Sequence, residues 1–164
     1  MKLKFLRHPF RMFRILRFIW KARRPSTVHD MPAVVDAFWL KRGYEALTFF
    51  GTILTHSQQD ADRMNSRLDE LKNHEMIHLK QAQATGDSWW QFYRLYLKFW
   101  LQGWRARKRY KNAGYRLNPF EMEAYEHMHD LSYVEQCKDG AWEWQRFARM
   151  TIDERIKYKQ NRLR

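Results

Sequence analysis

A glutamate on the apolar side of a predicted helix constrains this chain more than any other feature. At helical spacing, Glu75 falls in the middle of the arc that apolar residues predict to be buried. That arc consists of Met64, Leu68, Leu71, Leu79 and Ala82. The opposite, polar side of the helix consists of Asp69, Asn73 and Lys80. A carboxylate that faces a core without a partner costs several kcal/mol. Glu75 therefore requires a buried basic partner or a place in a chemical site.

Glu75 lies between two histidines four residues apart, in the segment H-E-M-I-H at residues 74–78. On a helix such residues share a face, with β-carbons about 5 to 6 Å apart, so both imidazoles can bind one zinc ion. A water on such an ion ionises near about pH 7, and Glu75 is placed to accept its proton. The spacing predicts His74 and His78 as metal ligands and Glu75 as general base, with Gln81 on the histidine face.

A catalytic zinc site usually has three protein ligands and an open position for water. The candidates for the third ligand lie in N-P-F-E-M-E-A-Y, residues 118–125, where Asn118 and Pro119 indicate the start of a helix. Glu121 then occupies the position of a capping-box glutamate. If it caps the helix, Glu123 is the ligand; if it does not, Glu121 is available. The residues alone leave both alternatives open.

These two segments together resemble a known family. The pairing of N-H-E-M-I-H-L-K-Q at 73–81 with E-M-E-A at 121–124 resembles the gluzincin group of zinc metallopeptidases. More closely, the chain resembles small bacterial proteins with N-H-E-x-I-H-x-x-Q and F-E-x-E-A-Y segments, over residues 45–130. The resemblance implies a minimal zincin-like fold, a zinc cofactor and a peptide or protein substrate. It also implies His74 and His78 as ligands, Glu75 as general base and Glu121 as third ligand.

The resemblance carries two further expectations. Related peptidases often have an aspartate four residues after the ligand glutamate, where it accepts a hydrogen bond from a ligand histidine; here Tyr125 takes that position. Related peptidases also commonly hold an extended substrate against an edge strand, a role that strand 46–54 would fill as β-augmentation. The residue pattern by itself predicts only a core hairpin there.

The remaining patterns predict a mainly α-helical fold with a small β-hairpin. Strands over 33–40 and 45–55 are rich in Val, Phe, Trp, Thr and Ile, and residues 41–44 suit the turn between them. Helix-capping residues predict four helices: from Ser66 with Asp69 or Glu70 to about residue 84, from Ser88 to about 111, from Asn118, and from Thr151 with Glu154. Only six glycines and four prolines argue against a turn-rich sandwich or barrel.

The net charge of +13 is concentrated in two acid-free segments, with nine bases in residues 1–24 and six in 105–116. The first predicts a basic amphipathic helix that lies in an anionic lipid interface or packs on the domain. We divide the chain into this segment, a linker at 25–31 and a domain at 32–164. The predicted contacts to membrane or other anions are Arg7, Arg11, Arg14, Arg17, Lys21, Arg105, Arg107, Lys108 and Arg109.

Apart from Gly103 and four polar residues, the segment from Trp89 to Trp104 is aromatic or aliphatic, and the polar residues form a stripe only about 80° wide on an ideal helix. This composition predicts a nearly enclosed helix, either in the centre of the core or in a membrane interface. A membrane-spanning helix would need about 20 apolar residues, so this segment is too short and too charged to be predicted as one. Nucleic acid is the rival partner, but no helix-turn-helix, zinc-finger or RNA-binding signature accompanies the basic segments.

Composition limits where the protein works. One cysteine, Cys137, can form neither an internal disulfide nor a thiolate zinc cage, and arginines interrupt every apolar run in residues 1–24 that a secretory signal would need. We expect a cytoplasmic protein, at the inner face of the membrane if the basic segments bind lipid. The expected function is a zinc metallopeptidase. The alternative is a non-catalytic helical protein, membrane-associated or nucleic-acid-binding, that retains a metal site.

Overall fold

The computed structural model describes residues 33–34, 46–55 and 57–162. Within these residues the predicted fold class is confirmed: the chain is mainly helical and has a small β-hairpin. The basic segment 1–24, with its five predicted contacts (Arg7, Arg11, Arg14, Arg17 and Lys21), and the linker 25–31 lie outside the described residues.

Three short strands form one sheet. They are β1 (Ala33–Val34), β2 (Ala46–Phe49) and β3 (Thr52–Thr55), in the order β1-β3-β2. The pair β2 and β3 is antiparallel, with Leu47 opposite Leu54, whereas β1 is parallel to β3. β3 is therefore the central strand, and β2 lies at one side of the sheet.

The hairpin turn is at Phe50 and Gly51, so the prediction of one unbroken strand over 45–55 in a hairpin with 33–40 is wrong. Residues 33–34 do pair with 53–54, but in parallel. Phe50 and Gly51 have φ angles of 47° and 81°, and two positive φ values are what a type I′ two-residue hairpin turn requires. The Tyr93 hydroxyl accepts a hydrogen bond from the Phe50 amide, 3.1 Å long. The run of aromatic and β-branched residues conceals this turn, because only Gly51 signals it.

Eight helices follow in the described residues: α1 (Gln58–Ser66), α2 (Glu70–Ala84), α3 (Trp89–Trp104), α4 (Ala113–Arg116), α5 (Pro119–His127), α6 (Tyr133–Gln136), α7 (Trp144–Arg149) and α8 (Ile152–Asn161). The predicted caps at Ser88, Asn118 and Thr151 are confirmed. Asp69, not Ser66, caps α2, since its side chain accepts the Lys72 amide.

α3 ends at Trp104, earlier than the predicted residue 111, because the chain folds back on it. A β-carbon on Gly103 would lie 2.5 Å from the Ala113 carbonyl oxygen. The absence of a side chain at Gly103 thus allows the backbone of α4 to approach α3, and residues 105–112 form the turns between them.

α3 is half-buried, whereas its composition predicted a nearly enclosed helix. Its core-facing residues are Trp89, Phe92, Phe99 and Gly103. Its exposed apolar residues are Trp90, Leu97, Leu101 and Trp104. Apolar composition shows that a helix needs an apolar environment, but not that other protein supplies it on both sides. Among the described residues, no helix is long and apolar enough to cross a bilayer.

Aromatic packing in the core fixes where α5 begins. Phe120 is fully buried, with its ring centroid 4.8 Å from that of Phe92 and 4.7 Å from that of Trp144. These contacts anchor the first turn of α5 against α3 and α7. The next residue along the chain, Glu121, is consequently held inside the protein.

The close approach of α3 and α4 generates a stability prediction. Gly103→Ala is expected to lower the free energy of unfolding by about 1 to 3 kcal/mol, because the new methyl group meets backbone. In an unobstructed helix the same change would stabilise by up to about 1 kcal/mol. Urea unfolding measures the sign. Leu101→Ala, on the exposed side of α3, is the control and should change the free energy by no more than about 0.5 kcal/mol. A more stable Gly103→Ala variant would contradict the packing described here.

Candidate metal centre

Two buried histidines on one turn of α2 form the first part of the candidate site. The helix runs unbroken from Glu70 to Ala84, so residues four apart lie on the same side. His74 and His78 are only 3% and 6% exposed, and their ring centroids lie 4.9 Å apart. The helix therefore presents two imidazoles to one small volume inside the protein, as the spacing predicts.

α5 brings Glu121 to these histidines. The Asn118 side chain accepts the Phe120 amide and caps α5, and the Glu121 carboxylate lies elsewhere, against α2. Its oxygens lie 3.3 Å from His74 Nε2 and 3.6 Å from His78 Nε2. Of the two open alternatives for the third ligand, the structure brings Glu121 to the histidines.

The distances in this group suit a shared metal ion better than direct pairing. A charge-assisted hydrogen bond between imidazolium and carboxylate measures about 2.7 to 2.9 Å. Ligand atoms about 2.0 to 2.2 Å from a tetrahedral zinc ion lie roughly 3.3 to 3.6 Å from one another. The separations of His74 Nε2 from Glu121 Oε2 and of His78 Nε2 from Glu121 Oε1, 3.3 and 3.6 Å, fall in the second range. One ligand atom from each of the three residues lies within 4.8 Å of the other two. His74, His78 and Glu121 could therefore hold a metal ion.

The hydrogen bonding of Glu121 also fits a cation site. Tyr96 donates to its Oε1 at 2.7 Å, while its buried Oε2 accepts no hydrogen bond. Burial raises the pKa of Glu121, but His78, His74 and the Tyr96 hydroxyl outweigh it and lower the pKa to about 2. Glu121 is thus anionic at neutral pH, and a metal ion would satisfy the oxygen that has no donor.

A chain of buried side chains orients His78. Its Nδ1 lies 2.8 Å from Gln81 Oε1, and the Gln81 amide donates to Glu123 at 2.6 Å and to the Phe120 carbonyl at 2.9 Å. Because both amide protons are used this way, Gln81 accepts from Nδ1–H and leaves Nε2 free for a metal. Burial is the largest influence on Glu123 and raises its pKa, although Gln81, Tyr133 and the Glu143 amide all donate to it. Glu123 supports a ligand; it is not in the ligand group.

His74 has no such acceptor. Its Nδ1 is buried without a hydrogen-bond partner, and the ring of Tyr125 packs edge-on against it with centroids 4.6 Å apart. Burial lowers the pKa of His74, but the carboxylates of Glu121 and Glu75 raise it further, so the net direction is upward. Tyr125 thus contributes a ring contact to His74, but no hydrogen bond to its Nδ1.

The third polar residue on this part of α2, Glu75, is 5% exposed and contacts the sheet. The Thr48 hydroxyl lies 2.6 Å from Glu75 Oε2 and 3.0 Å from the Glu75 carbonyl oxygen. Among the described residues, no lysine or arginine forms an ion pair with Glu75. A buried structural ion pair, the competing explanation of this glutamate, is therefore not what the described residues form.

Three residues that support the site were not predicted. Thr48 and Tyr96 contact its carboxylates, and neither stands in a pattern that would indicate this. Asn73 was expected on the solvent side of α2, yet it is fully buried. Its amide lies 2.9 to 3.2 Å from the carbonyl oxygens of His127, Met128 and Asp130, and so ties α2 to the end of α5.

The predicted anion contacts in the described residues lie apart from this group, in the turns after α3. Arg107 stacks over the Trp104 ring at 3.6 Å, and Arg109 pairs with Asp153 on α8 at 2.5 Å. Arg105 and Lys108 are exposed in the same turns.

Comparison with family models, with curated proteins and with solved structures finds no match to this chain.

The bond between Gln81 and His78 predicts a loss of metal affinity. Gln81→Met keeps the side-chain volume but removes the acceptor of His78 Nδ1, and should weaken zinc binding about 10- to 100-fold. Zinc titration against a competing chelator measures the change. Gln83→Met, at the half-exposed glutamine two residues along α2, is the matched control and should bind like the unsubstituted protein. Equal affinities for a folded Gln81→Met variant and its control would show that Gln81 does not position a ligand.

The unpartnered nitrogen of His74 predicts the opposite effect at Tyr125. Tyr125→Asp should supply an acceptor to Nδ1 and tighten zinc binding, by about tenfold if the bond forms fully. The same titration tests this, with Tyr125→Leu to separate the new carboxylate from loss of the ring. Tyr125 is 40% exposed, so we expect both variants to fold. Weaker binding by Tyr125→Asp than by Tyr125→Leu would contradict the assignment.

Proposed function

We propose that this chain is a zinc-dependent hydrolase that cleaves peptide bonds. The observation that best supports the proposal is the spacing of His74, His78 and Glu121. The Glu121 oxygens Oε2 and Oε1 lie 3.3 Å from His74 Nε2 and 3.6 Å from His78 Nε2. Two imidazole nitrogens and one carboxylate oxygen are a donor set typical of catalytic zinc, with room for a further ligand. Magnesium and calcium favour all-oxygen sites instead.

Zinc bound by this donor set would acidify water and polarise a carbonyl group. Glu75 is the general base in this proposal. Its carboxylate takes a proton from the water that attacks the carbonyl carbon, then gives that proton to the amine nitrogen as the C–N bond breaks. Each cycle consumes one water and returns Glu75 to its ionised form. The Thr48 hydroxyl, 2.6 Å from Oε2, holds the carboxylate in one orientation for both transfers.

Tyr125, which packs against His74, and its neighbour Tyr115 are the proposed donors to the substrate oxygen. The Tyr115 and Tyr125 hydroxyls lie 3.1 Å apart. Burial, and then the charge of Glu121, raises the pKa of Tyr115, and burial is also the main cause that raises the pKa of Tyr125. Both hydroxyls therefore stay protonated at neutral pH and can donate a hydrogen bond to developing negative charge.

The position of β2 suggests how a peptide would bind. In the part of the chain that the structure describes, β2 pairs only with β3. Thr48 lies on β2 and contacts Glu75. An extended peptide added alongside β2 would therefore run past the general base, held by backbone hydrogen bonds that do not depend on its sequence.

Metal content and proteolysis of quenched-fluorescent casein test the proposal together. The purified protein should hold about one zinc per chain, and His74→Ala and Glu121→Ala should lose it. Glu75→Gln should keep the zinc and reduce hydrolysis by at least about a hundredfold, because it cannot accept the proton. Glu135→Gln, at an exposed glutamate on α6, is the matched control and should remain active.

The results separate the alternatives. Hydrolysis unchanged in Glu75→Gln would remove the proposed mechanism. If zinc binding depends on His74 and Glu121, but the unsubstituted protein hydrolyses none of the peptide substrates, the result would favour a non-catalytic metal site. Zinc content that is unaffected in His74→Ala and Glu121→Ala would refute the metal centre itself.

A further inference from the structure

The outer face of α3 is an exposed apolar stripe. Trp90, Leu97, Leu101 and Trp104 are 75%, 56%, 46% and 42% exposed. On a helix with about 100° per residue they fall within an arc of roughly 60°, on the side away from the buried Phe92. Half of the large apolar side chains that are exposed in the described residues thus lie on this one helix face.

Cationic side chains border the stripe. Arg94, Lys98 and Arg105 follow it on one side of the helix, within a further arc of about 40°, and none forms an ion pair with another described residue. Residues 88–120 contain eight Lys and Arg and no Asp or Glu. The face therefore combines indole rings, aliphatic side chains and uncompensated positive charge.

We propose that this face of α3 docks on an anionic lipid surface, with the four apolar side chains in the interface and the bases against phosphate and carboxylate headgroups. Tryptophan is enriched at the depth of lipid headgroups. A helix that lies in the interface places its apolar side among the acyl chains and its bases at the rim. The apolar side chains of this face thus match the acyl chains of an anionic bilayer, and its basic side chains match the headgroups.

Charge excludes the other occupants that the chain itself offers. A second copy that docked through the same face would bring the acid-free segments 88–120 of the two copies together, because a two-fold interface pairs each patch with itself. Residues 1–24 carry nine bases and no acid, so they would also meet like charge on α3. A partner for this face must supply negative charge together with an apolar phase.

The aliphatic residues distinguish lipid from nucleic acid. Proteins bind single-stranded nucleic acid by stacking its nucleobases on aromatic side chains, next to Lys and Arg side chains that contact phosphate. Here Leu97 and Leu101 lie between the two exposed indoles, where nucleobases have no ring to stack on, and aliphatic side chains gain most from an acyl environment. Lipid is therefore the occupant that uses every exposed residue of the stripe.

Docking on this face would place the metal centre on the far side of α3 from the lipid. Tyr96, on the inner side, donates to Glu121, and Phe92 packs near His78, with ring centroids 6.1 Å apart. A helix is about 10 to 12 Å across with its side chains. The candidate ligands would thus lie roughly one helix diameter from the lipid surface. The lipid proposal holds whether or not the centre is catalytic.

A local probe tests the docking in the full chain. Leu97→Cys and Leu131→Cys, each combined with Cys137→Ser, are labelled with an environment-sensitive nitrobenzoxadiazole dye and mixed with vesicles of phosphatidylserine and phosphatidylcholine. We expect a blue shift and brighter emission at position 97 and none at 131, an exposed leucine elsewhere in the chain. Vesicles of phosphatidylcholine alone should give little change.

Sedimentation with the same vesicles tests the charges. Arg94→Gln with Lys98→Gln should lower the partition coefficient by about fivefold for each base removed. Lys138→Gln with Lys157→Gln removes equal charge from exposed sites outside α3 and should have a smaller effect. An unshifted label at position 97 on bound protein, or equal losses in the two double variants, would overturn the proposal. A label at 97 that responds to single-stranded oligonucleotides and not to vesicles would replace lipid with nucleic acid.

Discussion

The contact of Glu121 with His74 and His78 is the interaction on which the rest of the structure depends. Three titratable groups are buried together at the meeting of α2 and α5, and burial of such groups without a counter-charge costs several kcal/mol. The protein offsets part of this cost with the Tyr96 hydroxyl, which donates to Glu121, and the Gln81 side-chain oxygen, which accepts from His78 Nδ1. The cluster is better suited to holding a cation than to stabilising a core, because apolar residues of similar size would serve the core equally well.

α3 connects this cluster to the protein surface. Its inner side supplies Tyr96 to the ligand glutamate and Phe92 to the core, and its outer side presents the exposed indoles and bases. If both proposals hold, α3 contacts the metal centre on one side and lipid on the other, which would account for its composition. A helix with protein on one side and lipid on the other needs apolar residues around most of its circumference, with the polar stripe confined to the boundary between the two environments.

Local signals in the sequence were sufficient for much of the site. The four-residue spacing of the histidines and the cap at Asn118 each operate within one helix, so both could be predicted and are confirmed. The residue pattern alone could not decide between Glu121 and Glu123, since the choice depends on how α5 is rotated against α2; only the resemblance favoured Glu121. Asn73 was misplaced for a related reason. An apolar arc identifies one buried face of α2, but it does not show that the end of α5 packs on another face and needs hydrogen-bond donors there. The turn at Phe50 was missed because an aromatic residue rarely adopts positive φ.

Anomalous diffraction at the zinc absorption edge, from crystals grown with zinc, tests the central claim most directly. We expect one buried peak about 2.0 to 2.2 Å from His74 Nε2, His78 Nε2 and an oxygen of Glu121, with His78 Nδ1 still bonded to Gln81. Zinc found only at surface histidines, together with a direct hydrogen bond between His74 and Glu121 in the interior, would contradict the account.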